Sequence, residues 1–209
     1  TVVVPTLGRT TLARTLQSID RQARPGDRII VMADGPCPSA RSIFRPFGRQ
    51  GGLNARWVYE EHEHQGCWGH PLRNIALERE RGRHVATIDD DDIYLPGALD
   101  AIRETACARP VIFRMRMGRD HPARGVVVWH DPRIAFGNIG TPMIVAPVCG
   151  ARFGLAYDGD EPWAQQLERD LGPGYGGDVV YAKQLEAELG PAIFDERVIA
   201  LIRPGETEL

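Results

Sequence analysis

The first half of the chain alternates short apolar runs with segments of helical periodicity, and this alternation is what most limits its possible folds. Residues 10–22 carry apolar side chains at helical spacing, residues 39–48 are weakly helical, and residues 70–82 predict a helix that ends at a glycine. The apolar runs predict four strands: 1–5, 27–35, 55–60 and 84–89. Strands that alternate with helices form a largely parallel sheet with both faces covered.

The second half has a different pattern. After a predicted helix at 96–108, three strand-like runs follow one another: 110–118, 125–131 and 140–148. An amphipathic helix over 178–190 and a strand or two over 192–202 come next. We therefore expect an α/β fold in a single domain, 1–209. Its mostly parallel βαβ half, 1–109, continues without a linker into a mixed α+β half, 110–209.

Composition and charge are those of an ordinary globular protein. Of 209 residues, 43% are hydrophobic and 25% are charged, as in chains that fold alone. The formal net charge of -3 gives no overall positive field of the kind that drives nonspecific nucleic-acid binding. A nucleic-acid partner is therefore not indicated.

Cysteine use and hydropathy bear on the compartment. Cys37, Cys67, Cys107 and Cys149 lie too far apart for a CxxC motif, so we expect reduced and mostly buried thiols. We expect no membrane span, because no apolar stretch approaches roughly 18 residues. No charged leader precedes an apolar segment. These features predict a cytoplasmic protein by default. Thr1 already lies in a predicted strand, which leaves room for a few native residues before it.

Four adjacent aspartates, Asp89 to Asp92, follow the fourth predicted strand in the stretch IDDDDIYLPG. Ligands of open parallel sheets bind where strands reach their carboxyl ends. Two unit charges about 4 Å apart repel by roughly 1 kcal/mol in water, and by more where they are partly buried. Mg²⁺ or Mn²⁺ would offset this repulsion, because such ions bind one or two carboxylates together with phosphates and water.

Alternate residues of an extended segment point the same way. Asp89 and Asp91 would therefore face a ligand, while Asp90 and Asp92 support them or cap a helix. A purely structural interpretation is also available, since carboxylates stabilise helix N-termini and the helix predicted over 96–108 follows the run. The four acids alone leave both interpretations open.

Three blocks of sequence resemble family 2 glycosyltransferases, inverting enzymes with the GT-A fold. TVVVPTLGRTTLARTLQSI is similar to that family's first strand and helix, and IIVMADG to its second strand. HQGCWGHPLRNIALERERGRHVATIDDDDIYLPGAL is similar to its glycine, Arg-Asn helix, strand and Asp-x-Asp segment. The resemblance covers about half of the chain. It implies a GT-A-like domain with a nucleotide-binding half, 1–109, and an acceptor-binding half, 110–209.

The resemblance implies roles for residues at matching positions outside the acidic run. Pro5, Thr6 and Arg9 would line the nucleotide pocket, and Asp34 would contact the base. Arg73 matches the arginine of the Arg-Asn pair and would bind the nucleotide sugar. It would equally serve to anchor its helix near the acidic edge.

Within the acidic run, the resemblance implies that Asp89 and Asp91 are the first and last acids of the Asp-x-Asp motif. Asp89 would touch ribose or phosphate and help to hold the metal, Asp91 would bind the metal, and Asp90 would belong to the nucleotide-sugar site. The register is open by one residue, so Asp90 and Asp92 would take these roles if it slipped. The implied cofactor is Mn²⁺ or Mg²⁺.

An inverting transfer needs a carboxylate that removes a proton from the acceptor hydroxyl. In the family this acid precedes a late helix, and GPGYGGDVVYAKQL supplies Asp178 in that place. The alternative is that Asp178 only caps its helix. Asp158, Asp160 and Glu161 are lesser candidates for the base or for acceptor binding.

One further group of residues allows a chemical interpretation. His62, His64, Cys67 and His70 are potential zinc ligands, but their spacing matches no common zinc site. Trp68 and His70 more plausibly shape the pocket for sugar or phosphate.

Four arginines lie in a predicted hairpin: Arg114, Arg116, Arg119 and Arg124. They would favour an anionic acceptor, although such arginines more often form an exposed strand face.

Together these features predict a metal-dependent inverting glycosyltransferase that moves a sugar from a nucleotide donor, a UDP-sugar by expectation, to the hydroxyl of an unknown acceptor. A nucleotidyltransferase is an alternative, although the loop TLGRTT lacks the basic, glycine-rich character usual in that class. A non-catalytic nucleotide-sugar-binding protein is the alternative outside enzymes. No GxGxxG follows the first strand and no GxxxxGK[ST] occurs, which argues against dinucleotide oxidoreductases and P-loop enzymes.

Overall fold

The predicted alternation of strand and helix is present in the first half of the chain. The structure is a computed structural model that describes residues 1–50, 55–81, 83–155, 166, 169, 170, 172 and 174–205. The first four strands are β1 (Val2–Thr6), β2 (Asp27–Asp34), β3 (Ala55–His62) and β4 (His84–Thr87). The helices between them are α1 (Leu12–Asp20), α2 (Pro38–Gln50) and α3 (His70–Arg79).

The four strands lie parallel in the order β3-β2-β1-β4. Every residue of β1 is buried, as expected for a parallel strand with both faces covered. The apolar face of α1 is fully buried through Leu12, Leu16 and Ile19, which are the side chains that the helical spacing selects. Helix α2 is longer than its weak periodicity predicted.

The second half adds strands of both directions to the same sheet. Its elements are β5 (Ile93–Tyr94), α4 (Ala98–Thr105), β6 (Val111–Met117), β7 (Val127–Val128), β8 (Ile144–Pro147), α5 (Gly177–Leu189) and β9 (Ile193–Ile202). Strand β8 is antiparallel to β4 and β6, and β9 is parallel to β6 and antiparallel to β5. The mixed second half is thus as predicted. The strand predicted over 125–131 shrinks to the two residues of β7, and β5 was not predicted.

This topology brings four separate parts of the chain to one edge of the sheet. Strands β1, β2 and β4 all end there, because they are parallel and adjacent. The pairing of Ile93 in β5 with Leu201 in β9 then brings the residues after β9 beside the acidic run. None of the helices in the described part of the chain has the length and hydropathy needed to cross a membrane.

Candidate active site

A cavity of about 270 Å³ opens where β1, β2 and β4 end. We call it the acidic cavity. Seven of the residues predicted to bind a nucleotide sugar or metal line it: Pro5, Thr6, Arg9, Asp34, Asp89, Asp90 and Asp91. The sequence prediction therefore selects residues that the fold brings together.

A second cavity, of about 320 Å³, adjoins the first. We call it the aromatic cavity, after the character of its main lining side chains: Trp68, Phe136, Tyr175, Met115, Met117 and Asp178. Trp68 and Asp89 line both cavities. The two cavities therefore meet at these two residues.

Asp90 is buried and its carboxylate is fully engaged by the loop after β1. Its Oδ2 accepts hydrogen bonds from Thr6 Oγ1 (2.6 Å) and from the backbone N–H of Leu7 (3.2 Å). Its Oδ1 accepts one from Arg9 Nη1 (3.0 Å). Because these bonds leave little capacity for a ligand, Asp90 acts on the cavity by fixing the β1 loop that lines it.

The other three aspartates form a cluster whose carboxylate oxygens lie within 4.8 Å of one another. In the described part of the chain, Asp89, Asp91 and Asp92 are the one group of this kind. Asp89 and Asp91 are partly exposed, whereas Asp92 is buried and accepts a hydrogen bond from the backbone N–H of Arg203 (2.9 Å). Three convergent carboxylates are the donor set that Mg²⁺ and Mn²⁺ prefer.

The cluster carries more negative charge than its surroundings offset. Burial, with the charges of the neighbouring aspartates, raises the pKa of Asp91 and places the pKa of Asp92 well above its usual value. Arg9 (3.1 Å) and Arg203 (3.5 Å) lie near Asp91 Oδ2 and compensate in part. A bound cation would favour the ionised forms of these acids.

The helix-cap interpretation of the acidic run is wrong. Strand β5 separates the run from α4, whose N-cap is Gly97 and whose first turn contains Asp100 instead. The four aspartates therefore lie at the edge of the sheet and do not cap α4.

Asp34 lines the acidic cavity, but its carboxylate faces the loop after β3. Its oxygens accept hydrogen bonds from the backbone N–H groups of Gln65 (2.5 Å) and Gly66 (3.0 Å). The side chain is only 5% exposed. Asp34 thus fixes the loop after β3, which forms part of the cavity wall.

Arg73 lies behind the junction of the two cavities and is 1% exposed. It donates hydrogen bonds to the backbone oxygen of Trp68 (2.6 Å) and to Asp89 Oδ1. It also contacts His70 Nδ1 (3.3 Å). Burial lowers the pKa of His70 to about 3, so this ring is neutral and Nδ1 accepts from the guanidinium. Arg73 therefore holds Asp89 from behind and lines neither cavity.

Trp68 is held on a strained turn. Cys67 and Trp68 have φ angles of 49° and 56°, which side-chain-bearing residues rarely adopt. Gly69 follows with φ 73°, and a Cβ there would lie 2.8 Å from Pro5 Cβ, so the turn packs directly on β1. This backbone leaves the indole 49% exposed over both cavities.

Asp178 lines the aromatic cavity, and the residue is partly exposed there. Its carboxylate is nevertheless surrounded by protein atoms. Burial raises its pKa to about 6, and the hydrogen bond from the Val179 N–H (2.8 Å) opposes this shift. The group is therefore ionised at pH 7 but close to titration, as suits a general base.

Asp178 is not the N-cap of its helix. Helix α5 begins at Gly177, and Gly176 occupies the N-cap position with φ 89°. A Cβ on Gly177 would lie 2.3 Å from the Gly154 oxygen and 2.6 Å from His70 Cδ2. Close packing of this glycine against His70 therefore fixes the start of the helix and the position of Asp178.

The competing sequence interpretations have no support in this geometry. None of the four hairpin arginines lines either cavity. Met115 and Met117 face the aromatic cavity, so Arg114 and Arg116 lie on the other face of β6, where Arg114 stacks on Trp129 (4.3 Å).

The predicted ligands for zinc do not cluster in the described part of the chain. All four cysteines are free, but only Cys37 is buried, so the expectation of mostly buried thiols is wrong. Asp158, Asp160 and Glu161 lie outside the described residues.

Sequence reasoning missed two parts of the site. Arg203 reaches the acidic cavity only because β9 pairs with β5, and no local pattern indicates this. Tyr175 and Phe136 line the aromatic cavity from irregular segments that carry no periodicity. Adjacency to Asp178 in the glycine-rich loop was the one available indication for Tyr175.

Comparison with known families gives a match to the sequence model described as Glycosyl transferase family 2, over residues 1–153. Comparison with curated protein sequences gives no match.

Two solved structures illustrate the likeness of the fold. TarS 1–349 from S. aureus, in complex with UDP-GlcNAc, superposes with a TM-score of 0.63 at 16% identity, over 99% of this chain and 59% of that chain. The mannosyltransferase PcManGT from Pyrobaculum calidifontis, in complex with GDP-Man and Mn²⁺, gives a TM-score of 0.61 at 17% identity, over 99% of this chain and 57% of that chain. This chain thus spans less than two thirds of either relative, and the likeness concerns the fold.

Proposed function

The chain belongs to glycosyl transferase family 2, and from this premise we propose that it transfers a sugar from a nucleotide donor to an acceptor hydroxyl with inversion at the anomeric carbon. The observation that carries the proposal is the meeting of the acidic and aromatic cavities at Asp89 and Trp68. Asp91 lies on one side of this junction and Asp178 on the other. Asp91 would help to hold the cation that a donor diphosphate needs, and Asp178 would receive the proton of an acceptor hydroxyl.

The acidic cavity would bind the donor. Asp89, Asp91 and Asp92 fit Mn²⁺ or Mg²⁺, because their oxygens converge. Burial, and then the charges of the neighbouring aspartates, raise the pKa of Asp91 and Asp92, and a cation would offset both effects. When bound, such an ion supplies charge stabilisation for the leaving diphosphate. Arg9 and Arg203 are about half exposed beside Asp91, so they would turn toward the phosphates. Pro5, Thr6 and Asp34 would shape the nucleoside end of the cavity.

The reaction would then proceed across the junction. Asp178 would accept the proton of the acceptor hydroxyl as its oxygen attacks the anomeric carbon from the face opposite the diphosphate. The bond from that carbon to the phosphate oxygen breaks, and its electron pair leaves with the nucleotide. Arg73 would hold Asp89 at the shared wall during this step.

UDP is the proposed donor nucleotide. TarS is solved with UDP-GlcNAc and PcManGT with GDP-Man, so both bases enter the test. Thermal unfolding is measured with UDP, GDP, CDP and dTDP, each with and without Mn²⁺, because a ligand of the native state raises apparent stability. We expect the largest shift for UDP with Mn²⁺. A larger shift with GDP would reassign the base, and no shift with any nucleotide would refute the proposal.

A transfer assay with the selected nucleotide sugar separates the remaining alternatives. Inverted anomeric configuration in the product supports the mechanism, whereas retention contradicts it. Release of pyrophosphate from a nucleoside triphosphate would identify a nucleotidyltransferase. Nucleotide binding without transfer or donor hydrolysis would identify a non-catalytic binding protein.

A further inference from the structure

We propose that the acceptor is an uncharged hydroxyl compound with an apolar ring face, such as a neutral saccharide, and not a phosphorylated molecule. This inference rests on the proposed function, since it assigns the aromatic cavity beside Asp178 to the acceptor. It replaces one of the two interpretations of the hairpin arginines, namely that they favour an anionic acceptor.

Aromatic side chains form a continuous wall of this cavity. The Trp68 and Tyr175 rings lie 5.7 Å apart, and Tyr175 and Phe136 lie 5.3 Å apart. Met115 and Met117 add further apolar surface. Ligand sites with mostly apolar walls and a few polar groups bind molecules that present an apolar face together with a few hydrogen-bonding groups. A saccharide ring has C–H faces of this kind and hydroxyls at its rim.

The charges that line the aromatic cavity disfavour an anionic acceptor. Among its described lining residues, the only side chains that are charged at neutral pH are Asp89 and Asp178. Burial lowers the pKa of His70 and of His121, so neither ring supplies a positive charge. A phosphate here would face two carboxylates, and the nearby cation Arg73 is buried and already bonded to Asp89.

The acidic cavity provides the contrast. Arg9 and Arg203 lie there with their charged ends beside Asp91. The described cations of the site are therefore concentrated on the side that the proposed function gives to a diphosphate. The strained turn that exposes Trp68 at the junction also fits a ligand-binding role, because strained backbone is retained mainly at such sites.

The test measures binding, so that it does not depend on which hydroxyl reacts. Phenyl β-D-glucopyranoside and its 6-phosphate are titrated by calorimetry into the protein with UDP and Mg²⁺ present. We expect the neutral glycoside to bind at least about tenfold more tightly than its phosphate. Methyl β-cellobioside, which lacks the phenyl group, should also bind, and binding of the phenyl compound alone would contradict a saccharide acceptor. The proposal fails if the phosphate binds as well as the neutral compound, or if neither compound binds at about 10 mM.

Three variants test the location. Tyr175→Ala should weaken binding of the neutral glycoside by about tenfold, because it removes the central ring of the wall. Val126→Ala removes an exposed apolar side chain outside both cavities and should leave binding unchanged. Met117→Arg adds a cation to the cavity and should shift the preference toward the phosphate by at least about threefold. An unchanged preference in a folded Met117→Arg protein contradicts the proposal, and the wild-type comparison decides alone if the variants do not fold.

The nucleotide experiment keeps the two proposals distinguishable. If UDP with metal binds but the neutral glycoside does not, the acceptor inference is wrong and the proposed function stands. If the glycoside binds but no nucleotide does, the aromatic cavity is correctly described and the proposed function is wrong.

Discussion

The acidic and aromatic cavities share a wall but are built in opposite ways. The acidic cavity is formed mainly by the ends of adjacent parallel strands, and hydrogen bonds hold the Asp34 and Asp90 carboxylates in place. The aromatic cavity gathers side chains from distant segments near residues 68, 115, 136, 175 and 202, and packing holds them. Under the proposed function, donor binding depends on fixed polar geometry, whereas acceptor choice depends on the shape and charge of exchangeable side chains.

The sharpest test of this division is Asp178→Asn, which removes the proposed base and keeps the size of the side chain. Turnover should fall by about 10²–10⁴-fold, the usual contribution of a general base. Nucleotide binding in the other cavity should stay within about twofold of the wild type. Steady-state transfer rates and nucleotide titrations measure the two effects. Asp131→Asn, an exposed acid outside both cavities, is the matched control, and normal turnover of Asp178→Asn would falsify the base assignment.

Asp91→Asn should produce the converse result. The gain in stability with nucleotide and Mn²⁺, about 2.7 kcal/mol at a hundred times the dissociation constant, should largely disappear. Without metal the variant should be no less stable than the wild type, because the raised pKa of Asp91 shows that its charge is unfavourable in the folded state. Thermal unfolding with and without Mn²⁺ measures both. If the metal-dependent gain remains, another acid of the cluster holds the ion.

Asp90→Asn tests whether this acid supports the loop and does not bind the metal. It weakens three hydrogen bonds to a buried carboxylate, so the free energy of unfolding should fall by about 1.5–3 kcal/mol. This corresponds to a melting temperature lower by roughly 4–10 °C. The metal-dependent gain should persist. A stable variant that has lost this gain would mean that the register of the Asp-x-Asp motif is shifted by one residue.

The pH dependence should show the smallest effect. The pKa of Asp178 is raised to about 6, and its protonated form cannot accept a proton. The value of kcat/KM should therefore be level above pH 7 and fall about tenfold by pH 5.

The same group has an opposite influence on stability. Because its pKa is higher when folded than its ordinary value of 3.8, its contribution to the free energy of unfolding is most favourable at low pH and is lost as pH rises from about 4 to 6. Asp178→Asn should remove this decline. Denaturant titrations at pH 4 and pH 7 compare the two proteins, and an identical pH dependence would contradict the raised pKa.

The two cavities also differ in how far sequence could predict them. The acidic cavity follows from local patterns, since the parallel order of β1, β2 and β4 brings Thr6, Asp34 and the acidic run together. Local pattern could not reveal that Arg73 would be buried beneath the cavities, since its role depends on the partners it meets in the fold.

Of the residues that line the aromatic cavity, the sequence indicated only Trp68, His70, Asp89 and Asp178 as site residues. The remaining side chains approach through the long-range pairing of β6 with β9, and irregular segments such as the one around Phe136 carry no periodicity. The hairpin arginines do not line the cavity, and Arg114 and Arg116 lie on the face of β6 opposite Met115 and Met117.

The pairing of β5 with β9 has a consequence for the order of folding. Asp91 and Asp92 are contacted by Arg203, which the ribosome adds 111 residues after Asp92. During synthesis the acidic run therefore emerges long before its last neighbour, and its charges remain poorly compensated until β9 inserts into the sheet. The acidic cavity is encoded early in this sequence, but it is completed only after Arg203 has been synthesised.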